Sequence, residues 1–191
     1  MSSRMKSQKL LLNLGGKKIV EHVISVASRF SWSKVTAVIG EPREEMERLF
    51  SRYDFSCIYN EKPQRGQSSS VRLGLSEMPC NLDGYLFLLG DQPLIKYDLI
   101  DRMLKIFDLA EDNKKIVVPY CKDEPRSPIL FGTGWFFELM STKGDKGGRQ
   151  IGRNNPGNVI ALQWDDPAYF LDVDTMDDYN MVCEKYNTIN D

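Results

Sequence analysis

The stretch Tyr85-Leu86-Phe87-Leu88-Leu89-Gly90-Asp91-Gln92-Pro93 (YLFLLGDQP, residues 85–93) decides how the chain folds. Five consecutive apolar residues closed by a glycine and a proline predict a strand buried on both faces, the kind found in sheets covered by helices. Gly90 permits a tight turn just past the strand, Asp91 projects a carboxylate there, and Pro93 closes the exit. In open α/β sheets ligands bind beyond the carboxyl ends of the strands. Asp91 is therefore a candidate to hold Mg²⁺, with a turn or N-cap aspartate as the ordinary alternative.

The same rhythm runs outward from this strand. Ile19, Val20, Val23, Ile24 and Ala27 recur at helical spacing and predict an amphipathic helix over 17–30. VTAVI at 35–39 predicts another doubly buried strand, and Pro42 suits the first turn of a helix carrying Met46, Leu49 and Phe50 inward. A short strand at 57–59 and a helix over 68–78 follow. Beyond YLFLL come a helix over 98–109, with Ile100, Met103, Leu104 and Phe107 inward, and a strand at 115–119. Strands alternating with helices imply an α/β fold with a mostly parallel sheet flanked by helices. The 191 residues suit one domain over 1–191, and the less regular stretch at about 120–166 is expected to be an excursion from the sheet that covers a substrate.

Composition removes several classes of function. A formal charge of −2 and a pI near 5.6 argue against a general nucleic-acid or membrane-surface binder. Cys57, Cys80, Cys121 and Cys183 are scattered, without a CxxC pair, and read as reduced thiols. With no apolar run of membrane-spanning length and no signal-peptide core, a soluble cytoplasmic protein is expected. Charge is nonetheless uneven. Arg4, Lys6, Lys9, Lys17 and Lys18 precede the first acid, Glu21, whereas Lys185 alone opposes the acids from Asp165 to Asp191. One end suits phosphate and the other a hard metal ion, although two solvated surfaces would look the same.

Three further stretches carry chemistry. In NEKPQRGQSSS, Gly66 supplies backbone freedom, and Ser68, Ser69 and Ser70 offer donors at a helix start to an anion or a base edge; plain capping explains one serine but does not need three. STKGDKGGR is a glycine-rich loop bearing Asp145, Lys146 and Arg149, equally readable as a surface turn. FLDVDTMDD sets Asp172 and Asp174 two apart on one face of an extended segment, ahead of a helix that Thr175 or Asp177 would cap. No P-loop, GxGxxG or GxSxG motif is present, and His22 lies near the apolar face of its helix, where a structural role fits. What remains is cations, backbone donors and separated carboxylates, the set needed for metal-assisted transfer at phosphorus.

In this order and spacing, SSRMKSQKLLLNLGGKKIVEHVI, RGQSSSVRLGL, LFLLGDQPLI, RSPILF, GDKGGR and LDVDTMDDY resemble the molybdenum cofactor cytidylyltransferases, within the MobA-like nucleotidyltransferases. The resemblance covers nearly the whole chain. It implies a Rossmann-like nucleotidyltransferase fold and Mg²⁺-dependent transfer of CMP from CTP to the phosphate of a molybdopterin-type acceptor, with release of pyrophosphate. Arg4 and Lys9 match the triphosphate-gripping positions of the family signature L-A-A-G-x-S-x-R-M-G-x-x-K, with Ser3 between its serine and arginine. Asp91 matches the metal aspartate and Asp174 the second metal position, ahead of Asp172. Gly66 and Ser68 to Ser70 would lie beside the nucleotide, and Ser127, Pro128, Asp145, Lys146 and Gly147 on the acceptor side.

A guanylyl or other nucleotidyltransferase, or a noncatalytic factor that holds the cofactor for a molybdenum hydroxylase client, shares these features. Lys6 replaces the family's glycine, Gln67 a common methionine, and Ser127 a common His or Asn. Met1 aligns with the residue after the L-A-A-G glycine. The expectation is thus that the native protein begins upstream, and that a chain starting at Met1 lacks a central strand, leaves that strand's neighbours without a ladder partner and binds nucleotide poorly.

Overall fold

A computed structural model describes residues 8–144 and 148–190. At its start, local turn chemistry overrides helical periodicity. Gly15 and Gly16 hold left-handed φ values of 54° and 84° and close a two-residue hairpin of β1 (Asn13–Leu14) with β2 (Lys17–Lys18). Helix α1 (Ile19–Ala27) therefore begins at Ile19 rather than Lys17, and Glu21 accepts from the Lys18 N–H at its entry. All five periodic apolar residues of α1 are buried. His22 has a structural contact, its Nε2 lying 2.9 Å from the Leu14 carbonyl oxygen.

β3 (Thr36–Ile39), α2 (Arg43–Phe50) and β4 (Ser56–Tyr59) form a parallel βαβ unit. Met46, Leu49 and Phe50 of α2 share a cluster with Val20, Ile24 and Ile39. Next come α3 (Gln67–Ser76), β5 (Gly84–Phe87), α4 (Tyr97–Leu109) and β6 (Ile116–Cys121). β7 (Glu124–Pro125) folds back on β6, and β8 (Ile129–Gly132) lies between β5 and β6, antiparallel to both. After α5 (Phe136–Met140) and α6 (Arg149–Asn154), β9 (Val159–Gln163) pairs parallel with β6, and α7 (Met176–Asn190) follows.

β5, β6 and β9 thus share one direction, as do β3 and β4, so the sheet is mostly parallel in strand direction while the reversed β8 makes its own ladders antiparallel. The expected excursion over 120–166 is corrected here, because that stretch supplies β8 and β9. Ile129–Gly132 is buried along its whole length, which suits an inner strand better than a cover. Alternation along β6 sorts the core into two faces. Val117 and Cys121 join Val23 of α1 and Leu99, Ile100, Met103 and Phe107 of α4, whereas Ile116 and Val118 join Leu75 of α3, Leu139 of α5 and Ile151 of α6.

Two strands are less buried than their sequences predict: in β3 only Ile39 is buried, and in β5 only Tyr85. Among the described residues β3 pairs only with β4 and β5 only with β8, so each has one edge without a ladder.

The β5–β8 ladder also sets a packing limit. Gly84 and Gly132 face one another across it. A Cβ on Gly132 would come within 2.1 Å of the Asn113 carbonyl oxygen, and backbone cannot swing aside as a side chain can. Gly132→Ala is expected to destabilise the protein by about 1–3 kcal/mol, read as a lower urea midpoint. Gly157→Ala, with no atom within 4 Å of its Cβ, should leave the midpoint in place.

Candidate active site

The turn after β5 and the segment before α7 meet at one point. The Val173 N–H donates to the Asp91 carbonyl oxygen at 3.0 Å, strapping FLDVDT onto the GDQP turn. Val173 is fully buried in a cluster with Leu14, Ile19 and Val182, which leaves Asp172 and Asp174 on the opposite side of the extended segment. Lys9 opens a short 3₁₀ turn, Lys9–Leu11. Its Nζ lies 2.6 Å from Asp91 Oδ2 and 2.7 Å from Asp174 Oδ1, so a single ammonium joins two carboxylates. The Lys9 and Asp91 side chains are 12% and 22% exposed and that of Asp174 is 66% exposed, so the cluster opens to solvent on the Asp174 side. Burial works against the charge of Lys9, but hydrogen bonds to Asp174 and Asp91 outweigh it and hold the ammonium above its ordinary pKa.

A second set of contacts lies alongside. Gln92 is 2% exposed and donates from Nε2 to Asp172 Oδ1 at 2.6 Å. Loss of solvent raises the Asp172 carboxyl above the usual carboxylate range; the Gln92 bond opposes the rise, and the charges of Asp91 and Asp174 add to it. Arg149, which also acts electrostatically on Asp172, donates from Nη2 to Ser127 Oγ at 3.0 Å. Ser127 and Pro128 precede β8. Because β8 is reversed, its amino end pairs beside the carboxyl end of β5, with Ile129 opposite Phe87. The reversal brings an acceptor-side candidate to the Asp91 end of the sheet.

The serine segment forms its own network at the start of α3. Gly66 adopts φ 83° and ψ 177°, a conformation open to glycine, and α3 begins at the next residue. Asn60, buried directly after β4, donates from Nδ2 to Ser69 Oγ at 2.9 Å and to Ser70 Oγ at 3.0 Å. Ser69 Oγ in turn donates to the Gly66 carbonyl. Ser68 is fully buried, and its Oγ has no hydrogen-bond partner among the described residues.

The structure therefore brings Lys9, Asp91 and Asp174 together, with Asp172 and Ser127 beside them through Gln92 and Arg149. Of the two expected caps of α7, Thr175 is the one engaged, in a reciprocal pair with Asp178. Asp178 Oδ2 accepts from the Thr175 N–H and hydroxyl at 2.8 Å each, and the Asp178 N–H donates to Thr175 Oγ1. Ser3, Arg4, Asp145, Lys146 and Gly147 lie outside the described residues. Gln92 and Asn60 are the supporting residues that motif reading passes over. The signal for each was its place in the turn that follows a strand: Asn60 directly after β4, and Gln92 in the turn after β5.

Two carboxylates within hydrogen-bond reach of one cation suit a hard divalent ion. Among the described residues no three His, Cys, Asp or Glu side chains cluster as a metal site. An ion here would complete its shell with water and substrate phosphate, the usual habit of Mg²⁺. No helix among the described residues is long and apolar enough to cross a membrane.

Known proteins share these features to different extents. Among curated proteins, the bifunctional protein GlmU of Lactobacillus gasseri is 32% identical over 164 residues, which make up 84% of this chain and 30% of that protein. GlmU of Bacillus subtilis is 28% identical over 123 residues, 63% of this chain and 26% of that protein. The chain spans roughly a quarter of the length of these curated relatives. Among solved structures, Rv0371c from Mycobacterium tuberculosis H37Rv superposes with a TM-score of 0.84 at 24% identity, over 96% of this chain and 92% of that one, and has also been solved in complex with manganese. Molybdopterin-guanine dinucleotide biosynthesis protein A from Archaeoglobus fulgidus superposes at 0.68 with 18% identity, over 98% and 95% of the two chains. These likenesses show a Rossmann-like nucleotidyltransferase fold. The profile of the MobA-like NTP transferase domain matches residues 1–159, and the chain belongs to that family of nucleotidyltransferases.

Proposed function

We propose that this protein is a Mg²⁺-dependent cytidylyltransferase that moves CMP from CTP to the phosphate of a molybdopterin-type acceptor and releases pyrophosphate. The observation that carries the reading is Lys9 held between Asp91 and Asp174 at the carboxyl end of β5. CTP and the molybdopterin acceptor rest on the ordered motifs of the sequence, and the manganese complex of Rv0371c supports a divalent ion.

Asp91 and Asp174 would hold the ion, which when bound neutralises charge on the nucleotide phosphates. An oxygen of the acceptor's phosphate attacks the α-phosphorus of CTP. As the new P–O bond forms, the bond to the β-phosphate breaks and pyrophosphate leaves, without a covalent enzyme intermediate. Lys9, together with Arg4 by its motif position, offsets the charge that develops on the leaving group. The Ser68 hydroxyl at the start of α3, without a partner among the described residues, is a donor for the nucleotide. Ser127, Pro128 and the 145–147 loop belong to the acceptor side.

Pyrophosphate release from CTP, Mg²⁺ and molybdopterin should fall at least about 10²-fold in Asp91→Ala. Release unchanged by that substitution would overturn the metal assignment. Run side by side, CTP should outpace GTP and ATP, and a faster reaction with GTP would reassign the base. Lys9→Met and Asp91→Asn should each cost about 1–3 kcal/mol of stability. In urea melts the double variant should lose clearly less than the two together; full additivity would show that the pair does not interact.

A further inference from the structure

The two carboxylate oxygens that would hold an ion already hold a cation. Lys9 Nζ lies 2.6 Å from Asp91 Oδ2 and 2.7 Å from Asp174 Oδ1, and among the described residues no other cation pairs with either acid. Mg²⁺ takes its oxygen ligands at about 2.0–2.1 Å, so an ion bonded to Asp91 Oδ2 would stand within about 5 Å of Nζ as Lys9 is placed here. Charge decides which of the two cations stays. One ammonium leaves two carboxylates one charge short of neutral, and a divalent ion balances them. Both at once would make a net positive cluster whose cations repel.

The Lys9 side chain can leave while the carboxylates keep their places. Backbone bonds fix both acids without the ammonium: the Asp91 carbonyl accepts from the Val173 N–H at 3.0 Å, and the Asp174 N–H donates to Asp178 Oδ2 at 3.2 Å. The Lys9 main chain is held separately. Its carbonyl accepts from the Leu12 N–H at 3.2 Å, and Leu10 packs against two core clusters. Only the flexible four-carbon stem has to move. Asp174 is the exposed member of the cluster, so its side gives the ammonium a way out and an ion a way in. An ammonium paired with two carboxylates has little attraction left for phosphate, and regains it on release.

We propose that Lys9 is an exchangeable internal counter-ion. It occupies the Asp91–Asp174 pair in the free protein, a divalent ion binds there only by displacing it, and the released ammonium then turns to nucleotide phosphate. The proposal rests on the metal assignment above and adds its regulation. Ion binding to the free protein is weakened because it breaks both ion pairs of Lys9. Phosphate that takes up the released ammonium restores that loss, so ion and nucleotide bind with positive coupling.

Mn²⁺ binding to the full chain, titrated by electron paramagnetic resonance without nucleotide, tests the exchange. Lys9→Gln keeps a hydrogen-bonding head group and removes its charge. It should bind Mn²⁺ at least about tenfold more tightly than wild type, the gain expected when the ion-competent arrangement rises from under about a tenth of the molecules to all of them. Lys9→Arg, which keeps the charge, should show no such gain. Loss of any nearby positive charge would also favour the ion, so a second readout follows Lys9 itself. In wild type, acetic anhydride should label Lys9 slowly, and saturating Mg²⁺ should speed that labelling severalfold while leaving Lys105 of α4 unchanged. Lys9→Gln binding no tighter than wild type, or a Lys9 that stays protected with Mg²⁺ bound, would overturn the proposal. Asp91→Asn separates it from the metal assignment. Mn²⁺ binding that survives this substitution would defeat the assignment and the exchange together, whereas binding lost in Asp91→Asn but indifferent to Lys9 would defeat the exchange alone.

Discussion

Two carboxylates drawn together repel one another unless a cation stands between them, and Lys9 is that cation. Its ammonium ties three distant segments of the chain into one surface: the turn that opens the described structure, the exit of β5 and the entry to α7. The apolar packing behind it serves the same end. Val173 is buried between the two acids of its segment, its N–H grips the Asp91 carbonyl, and Leu10 lies against the Gly90 backbone. The cluster is thus set by backbone and core, with the charges arranged on top. That order suits phosphoryl chemistry, where stabilising groups must be in position before charge develops.

The second constraint is topological. A wholly parallel sheet would bring only strand carboxyl ends to the Asp91 end. Reversing β8 adds the amino end of a strand, and with it Ser127 at the start of an apolar, fully buried segment. The following helices return the chain over the same face, so that Arg149 meets Ser127 from above. One inserted strand therefore places polar groups on the side of the site opposite Lys9.

Much of this was legible in the sequence, and the failures share a cause. Periodicity located the helices because their buried residues are local: Ile19 to Ala27, Met46 to Phe50 and Ile100 to Phe107 behave as their spacing demands. Asp91 and Asp174 were legible because strand ends and two-residue alternation are short-range rules. The hairpin at Gly15-Gly16 was obscured because Lys17 and Lys18 fit the polar face of the helix that follows. The role of 120–166 was misread because insertion of β8 between β5 and β6 depends on partners more than 40 positions away along the chain for β5, which no local pattern records. Asn60 and Gln92 escaped for a similar reason, since a buried amide is identified by the groups it orders.

Arg149 connects these two halves physically. Its guanidinium hydrogen-bonds the Ser127 hydroxyl and acts electrostatically on the Asp172 carboxylate, and it lines a cavity beneath α6. An incoming anion would compete with Ser127 for the Arg149 donors. Any shift of Arg149 toward such an anion withdraws positive charge from Asp172, which accepts a hydrogen bond from Gln92 in the Asp91 turn. An anion bound beside Arg149 would therefore be felt electrostatically at Asp172, without movement of the sheet. The coupling is local and needs no second conformation, which fits a site whose backbone is held by buried strands and by the Val173 strap.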